Sequence, residues 1–591
     1  MKHAFLLSLF AAYFFALSAQ QKFVVDRNFG ASCGSTQTFF QANLYELFKL
    51  SNGKYMIVGD RFAFESAESN EVLFARYNSD GTVDTAFATN GIKMFNFDVF
   101  TKVTSVAYVN NKIYIAGHQA PGNAFSTFRA SISRFNENGE PDSSFNGTGT
   151  LVESIFSNPI SSSFYTHVLV QPNGKIVCFG FESSNINGGS NIAVGKRHNP
   201  NGTVDSTFNT NPGFGYGSFN QGNAEYNSPG VLNADGSMRF VYPARNGPST
   251  LVSVKIDSAG VPVASYGTNG SNSTTVDLAQ SRIHRFLKSG NNIYGLHYKQ
   301  NTDDDMRAYA LDANGNLNNN FSGDGVLDLP NFPGTGGSER PFAMHLDAQN
   351  RLYYFGSASF NQDKCAFYRA DLSGNLDFSL AGTGSLAIGE FPFSEFKNVY
   401  FENDSTIIAN IYTNSRIGLI KLQLQTNNVS IAPPASNAIC VGDTTSLFVS
   451  QPNDCYTYNW LKDGASYAGN DSSIRVFEAG AYSVIAIAGT DTSISQAVVI
   501  TVGTCTGIDN VDAASFQLYP NPTENILNIE VESNTEHRES QIQIIDMQGR
   551  TMMTSKFEGN TTINISDLAP SMYQVRIVSG ASSAVKRFVK L

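Results

Sequence analysis

Asp80 and Asp84 lie in RYNSDGTVDTAFATNG, the stretch Arg76–Gly91, among glycine, asparagine and threonine. Carboxylates spaced this way in a glycine-kinked loop could hold a calcium ion, which takes roughly six to eight oxygens at short range. A related stretch from Arg134 keeps Asn138 and Asp142, but one from Lys255 has Ser258 and Val263, and no copy supplies the closing Glu of an EF-hand loop. A structural turn is therefore the favoured reading, with Asp or Asn accepting backbone N–H groups, and structural calcium the lesser one. Asp303-Asp304-Asp305 places three adjacent carboxylates on a loop where neighbouring side chains diverge, which reads as a solvated tip. His118, His167, His198, His284, His297 and His345 are scattered singly, without HExxH, GxSxG or a nucleophile motif. No catalytic, cofactor-binding or metal-ligating residue is assigned from them.

The elements that carry the acids repeat. After RFNENGEPDSSFNG at Arg134 comes KRHNPNGTVDSTFN at Lys196, then KIDSAGVPVASYGTNG, ALDANGNLNNNFSGDG and RADLSGNLDFSLAGTG at Lys255, Ala310 and Arg369. The turn glycines Gly81, Gly139, Gly202, Gly260, Gly315 and Gly374 follow one another at 58, 63, 58, 55 and 59 residues, near the long end of propeller-blade periods. Beyond the glycine, the fullest copies keep an Asp (Asp84, Asp142, Asp205) and a Phe (Phe87, Phe145, Phe208), the latter expected to pack between blades. A polar turn between alternating runs, as in LFKLSNGKYMIVGD and VLVQPNGKIVCFG, occurs seven times. Asn-Gly or Asp-Gly at such a tip supplies the positive φ of a tight hairpin. With one strand before and one after the Asp-Gly turn, each unit has four strands, and seven units predict a seven-bladed β-propeller over residues 20–427. The phase of the array implies a latch. FVVDRNFG, Phe23–Gly30, matches TVDTAFA, whereas the array stops at RIGLIKLQLQ, the strand before the missing last turn.

Composition agrees with an all-β chain. Of 591 residues 41% are hydrophobic and 15% charged, with 45 Phe, 25 Tyr and 51 Gly, a balance that favours packed β-domains. The net charge of −11 contains no basic block, which argues against nucleic acid as a partner. MKHAFLLSLFAAYFFALSAQ sets a charged start before an apolar run and small residues, so residues 1–19 read as a signal peptide. No later run approaches the roughly 20 apolar residues of a membrane helix, so no transmembrane segment is expected. Export permits disulfides, and among Cys440, Cys455 and Cys505 the expected pair is Cys440 with Cys505, leaving Cys455 free; two other pairings remain open.

Two small β modules follow. Residues 428–507 hold short alternating strands with the single Trp in CYTYNWLKDG and a later Gly-x-Tyr, a pattern that resembles an Ig-like β-sandwich with Trp460 in its core. Val484 stands where antibody-type domains carry Cys. Residues 515–591 have the same hairpin grammar and read as a small C-terminal β-sandwich.

The repeat grammar of strand, Asn/Asp-Gly, x-x-Asp-x-x-Phe and Asn-Gly resembles the delta-60 repeats of large exported bacterial proteins, over about two thirds of the chain. That resemblance implies a propeller and no agreed activity. Tyr519-Pro520-Asn521-Pro522, Asp546 with Gly549-Arg550, Leu568 with Tyr573, and Lys586 through Lys590 resemble the type A C-terminal sorting domain of type IX (Por) secretion in Bacteroidetes, with Ser571 departing from the usual Gly. The resemblance implies passage through the periplasm to the outer surface, with the secretion machinery as partner. The resulting expectation is a secreted or surface-displayed protein whose propeller is a binding or structural scaffold for a glycan or protein ligand. The alternative is a polysaccharide lyase or hydrolase with two carboxylates, or a His with Tyr or Arg, at a propeller mouth.

Overall fold

The computed structural model describes residues 21–591 except 32, 34, 40–41, 62–70, 98, 121–126, 156–161, 184–190, 209–217, 220–229, 244–249, 277–282, 300–304, 333–338, 359–363, 389–393, 414–415, 425–428, 468–470, 489–490, 505–515, 532–539, 558–559 and 580–581. The signal-peptide reading, the acidic loop at Asp303 and Asp304, and Cys505 lie outside the described residues. Apart from a 3-10 turn at Thr89–Gly91, the regular elements described are strands. No helix among the described residues is long and apolar enough to cross a membrane. The chain forms two compact units: Met1–Val429 with Gln451–Tyr458 and Ile485–Ile494, and Ser430–Ser450 with Asn459–Val484 and Ser495–Leu591.

In the first unit, antiparallel sheets follow one another along the chain. The first sheet runs Ala42–Lys49, Tyr55–Arg61, Glu71–Tyr77, Ile92–Asn96, and the second Phe100–Val109, Lys112–Ala120, Arg129–Asn136, Thr150–Glu153. The third is Ser162–Val170, Ile176–Ser183, Asn191–His198, Ser218–Phe219, and the fourth Gly230–Leu232, Met238–Pro243, Thr250–Ile256, Ser271–Thr275. The fifth comprises Ile283–Ser289, Asn292–Lys299, Asp305–Leu311, Val326–Asp328, and the sixth Glu339–Leu346, Leu352–Ala358, Lys364–Ala370, Ser385–Ile388. The seventh has Ser394–Asn403, Thr406–Thr413 and Arg416–Leu424, and its outer edge is filled from the other end of the sequence. Phe23 to Val25 pair with Leu424 to Leu422, and Ser35 to Phe39 with Ile420 to Arg416.

Second strands such as Tyr55–Arg61 are buried at every position but the last, because both faces of a blade are covered by its neighbours. Apolar clusters bridge each successive pair of sheets. A further cluster packs Tyr55, Ile57 and Leu73 of the first sheet with Ile408, Ile417 and Leu419 of the seventh. The run of interfaces returns to its start, as in a closed β-propeller.

In the second unit, Thr445–Phe448 pairs with Ser473–Val476, and Ala438–Cys440 runs parallel to Val498–Gly503. Trp460 is buried there, with its Nε1 donating to the Asp471 carbonyl at 2.9 Å. Farther along, Phe516–Tyr519, Ile526–Val531 and Thr561–Asn564 form one sheet, and Thr551–Phe557, Ser540–Asp546, Ser571–Ser579 and Ser582–Lys590 another, enclosing a core that includes Phe516, Leu527, Ile544 and Phe588.

Candidate functional site

The acidic loops are joints. The Asp84 N–H donates to the Arg76 carbonyl at 3.0 Å and the Phe87 N–H to the Asp84 carbonyl at 3.1 Å; the same pair of bonds recurs at Asp142, Asp205, Val263, Asn318 and Asp377, and at Asp26 in the latch. Where the acid is present it is already neutralised. Arg76 Nε reaches Asp84 Oδ2 at 2.6 Å and Lys54 Nζ reaches it at 2.8 Å; Arg134 and Lys112 flank Asp142, and Arg197 and Lys175 flank Asp205. Burial pushes the Asp205 carboxyl up, but hydrogen bonds from Lys175, Thr207 and Arg197 outweigh it and hold the group well below the usual carboxylate range. The same guanidinium lies over the motif aromatic, 4.1 Å from the Phe87 centroid and 4.7 Å from that of Phe208. It also reaches the next sheet, since Arg76 Nη1 donates to the Glu137 carbonyl at 3.1 Å and Arg197 Nη1 to that of Ser258 at 2.5 Å. The turn glycine of the next sheet rests on the aromatic, as Gly202 does on Phe145 and Gly260 on Phe208. Among the described residues no three His, Cys, Asp or Glu side chains gather to hold a metal ion.

The first strands of successive sheets contact one another around the ring and so surround its axis. In six sheets this strand carries a one-residue bulge. The residue after this bulge, the first of two in the seventh sheet, is Glu46, Ser105, His167, Arg285, Ala343 or Asn398, paired with Val58, Ala116, Phe179, Leu296, Phe355 and Asn410 in that order. Bulges re-aim side chains next to functional sites, and here they set one ring of equivalent positions. Arg285 spans it, donating to Glu46 Oε2 at 3.2 Å and to Asn398 Oδ1, on sheets not adjacent to its own. Ser105 Oγ lies 3.4 Å from His167 Nδ1. Burial, and then the charge of Arg285, lowers His167 to about 4, so its imidazole is neutral at pH 7. A guanidinium, one carboxylate, an amide and a neutral imidazole thus meet on the axis, a set suited to recognising a polar ligand.

The axial ring escaped the sequence reading, which followed what the repeats share. Aligning the hairpins on their turns would have exposed it, because this inner-strand position changes type from sheet to sheet. Two other histidines serve packing. His118 sits among Phe100, Phe128 and Phe164, where burial and then Lys102 lower it to about 3, and His345 stacks on Phe401 at 3.6 Å. His198 Nε2 lies 2.6 Å from Glu153 Oε1, which also accepts the Tyr165 hydroxyl at 2.7 Å, while Lys196 pairs with Glu153 Oε2 between the second and third sheets. The side chain of His284 is outside the described residues.

Cys455 is not free: it is bonded to Cys33, 422 positions away. The segment Gln451–Tyr458 belongs to the propeller unit, where Asn453 Nδ2 donates to Asn28 Oδ1 at 2.5 Å and brings the two cysteines together. Cys440 is disulfide-bonded, and the expected partner Cys505 lies outside the described residues.

The sorting-motif residues build the C-terminal module. Asn521 donates to the Arg587 carbonyl at 3.1 Å and accepts the Val589 N–H at 2.9 Å, tying Tyr519-Pro520-Asn521-Pro522 to the final strand. Asp546 Oδ1 accepts the Arg550 N–H across a turn in which Gly549 has φ +84°, and Arg550 Nε reaches Asp546 Oδ2 at 2.7 Å. Tyr573 packs on Phe588 and donates to the Ala569 carbonyl; Lys586 Nζ lies over Phe516, and Lys590 is buried.

Residues 517–591 match the family described as Secretion system C-terminal sorting domain, and this match signals export to the outside or surface of the cell through the type IX system. Residues 50–87, 110–145 and 171–208 match Domain of unknown function (DUF5122) beta-propeller, which is consistent with the delta-60 repeat resemblance. No curated protein matches the chain. Among solved structures, a protein of unknown function from Dyadobacter fermentans is 8% identical over 66% of this chain and 98% of its own, with a TM-score of 0.33. A GH43_1 enzyme from Xanthomonas citri is 10% identical over 54% of this chain and 82% of its own, with a TM-score of 0.25. Scores this low carry no argument about function.

Proposed function

We propose that the chain is a type IX cargo whose propeller is a binding scaffold for a polar surface ligand, a glycan in the first instance, held at the axis. The observation that supports this reading is the ring Glu46, Ser105, His167, Arg285 and Asn398, where five otherwise similar sheets each carry a different polar side chain while a sixth has Ala343. Glu46 and Arg285 are half-buried, which leaves them within reach of a ligand. The repeated carboxylates, by contrast, are consumed by the joints. Residues 1–19 serve as the signal peptide in this reading, and residues 515–591 as the sorting module. A glycan array probed with the full chain and with Arg285→Gln tests the proposal. Binding by the wild type that the variant loses is expected, and a wild type that binds nothing overturns it.

A lyase or hydrolase is the second reading, favoured by His167 and Arg285 occupying equivalent positions of the axial ring, where the Arg285 charge acts on the imidazole. Glycoside hydrolysis generally needs a pair of carboxylates, and among the described residues of the ring Glu46 is alone. Product release from a polysaccharide panel, abolished by His167→Ala, would establish this reading, and no release by the wild type would remove it.

A further inference from the structure

The fourth sheet breaks the charge pattern of the joints. Arg76, Arg134, Arg197 and Arg369 pair with Asp84, Asp142, Asp205 and Asp377, and Lys421 pairs with Asp26. The fifth sheet has Ala310 and Asn318 in these places, losing both charges together. The fourth keeps the cation, Lys255, but carries Val263 where the acid belongs. Among the described residues the Lys255 and Lys288 side chains form no hydrogen bond or ion pair, and the carboxylate that feels the Lys255 charge is Asp235, whose Oδ1 is engaged by the Ser237 N–H and hydroxyl.

A second change adds another cation. Arg239 stands opposite Lys255 on the neighbouring strand, where the other sheets have Met56, Tyr114, Val177, Tyr294, Tyr353 and Ile408. Its Nη1 donates to the Asn291 carbonyl at 2.9 Å, and its Nη2 to the Asp312 carbonyl at 2.8 Å and the Tyr266 hydroxyl at 3.1 Å. Its Nε is buried without an acceptor among the described residues. Arg239, Lys255 and Lys288 line a cavity of about 280 Å³ with Asp235, Asn233 and Asn291.

Three cations against one engaged carboxylate, in a chain of net charge −11, are not general surface charge. Like charges gathered this closely repel unless an anion joins them, and guanidinium and ammonium N–H groups are strong donors to oxyanions. We propose that this cavity binds a small oxyanion, a carboxylate, sulfate or phosphate borne by a molecule no larger than a sugar residue. The proposal does not depend on the axial reading.

Calorimetric titration of the full chain at low salt with sodium sulfate, inorganic phosphate and glucuronate, with glucose as the neutral control, tests it. Saturable binding of at least one oxyanion and none of glucose is expected, the preferred anion distinguishing an inorganic ion from a sugar acid. Lys255→Gln and Lys288→Gln should each weaken it about tenfold or more. Val263→Asp, which restores the carboxylate that other sheets accommodate, should abolish binding, and Val263→Asn should retain it. The proposal is overturned if the wild type binds no oxyanion, if glucose binds equally well, or if the affinity is unchanged in both lysine variants and in Val263→Asp.

Discussion

The Phe29 ring occupies the space that a Cβ on Gly81 would need, its nearest carbons lying 2.5 Å from where that atom would stand. Phe29 belongs to the latch segment and Gly81 to the first sheet, so this contact seals the seventh sheet to the first. Gly260 on Phe208 and Gly315 on Tyr266 repeat the relationship elsewhere in the ring.

Gly81→Ala is therefore expected to cost more than the left-handed backbone alone. Gly81 and Gly53 have φ of +83° and +82°, but nothing approaches the Cβ position at Gly53. Alanine at either site pays about 1–2 kcal/mol for its backbone. The excess loss of Gly81→Ala over Gly53→Ala in urea unfolding measures the seal, and equal losses would show that the ring yields freely.

Asp205→Ala should destabilise the propeller strongly. It leaves Arg197 and Lys175 facing a site that held their shared carboxylate, with the Arg197 and Asp205 side chains only 7% and 5% exposed. Breaking a buried pair from one side costs about 3–5 kcal/mol, whereas replacing both partners with apolar residues is often near neutral. Chemical denaturation of Asp205→Ala and of Arg197→Met with Asp205→Leu checks the order; a double variant no more stable than the single would contradict it.

Acid should weaken the fold in two stages. Burial holds His118 at about 3 and His345 at about 4, with His167 also near 4, against an ordinary 6.5. Between those values the unfolded chain binds more protons than the folded one, so stability falls as pH drops from about 6.5. Burial pushes Glu153 up, but its bonds with His198 and Lys196 outweigh that and set it at about 2 instead of 4.5. Its contribution is present above 4.5 and is lost as pH falls toward 2. His118→Leu should flatten the first stage, which thermal melts at stepped pH would read; an unchanged slope would rule the residue out.

Removing residues 515–591 should leave the protein in the periplasm of a host that has the type IX system. Cell fractionation reads the outcome, and unaltered surface delivery would refute the role given to the module. Asn521→Ala, which removes both ties to the final strand, should lower the thermal stability of the module.

The joints were legible in sequence through their glycine and aromatic because both repeat with fixed spacing and each answers one backbone or packing demand. Arg76 and its equivalents were harder to see, since a cation inside an alternating strand looks like an outward-facing residue until the acid and the next turn are placed around it. The axial ring could not be found by similarity at all, and bulges in the inner strands re-aim those side chains out of simple alternation. Closeness along the chain misled for Cys455, because the segment carrying it packs with the propeller unit, where Cys33 lies.

The latch also sets an order of events. Phe23 pairs with Leu424, 401 positions later (424 minus 23), so this early strand of the ring waits for the late one. Contacts this distant form slowly, because a long loop must close before they contribute. Until the strand Arg416–Leu424 arrives, the segments Phe23–Val25 and Ser35–Phe39 lack the strand they pair with, and the ring stays open.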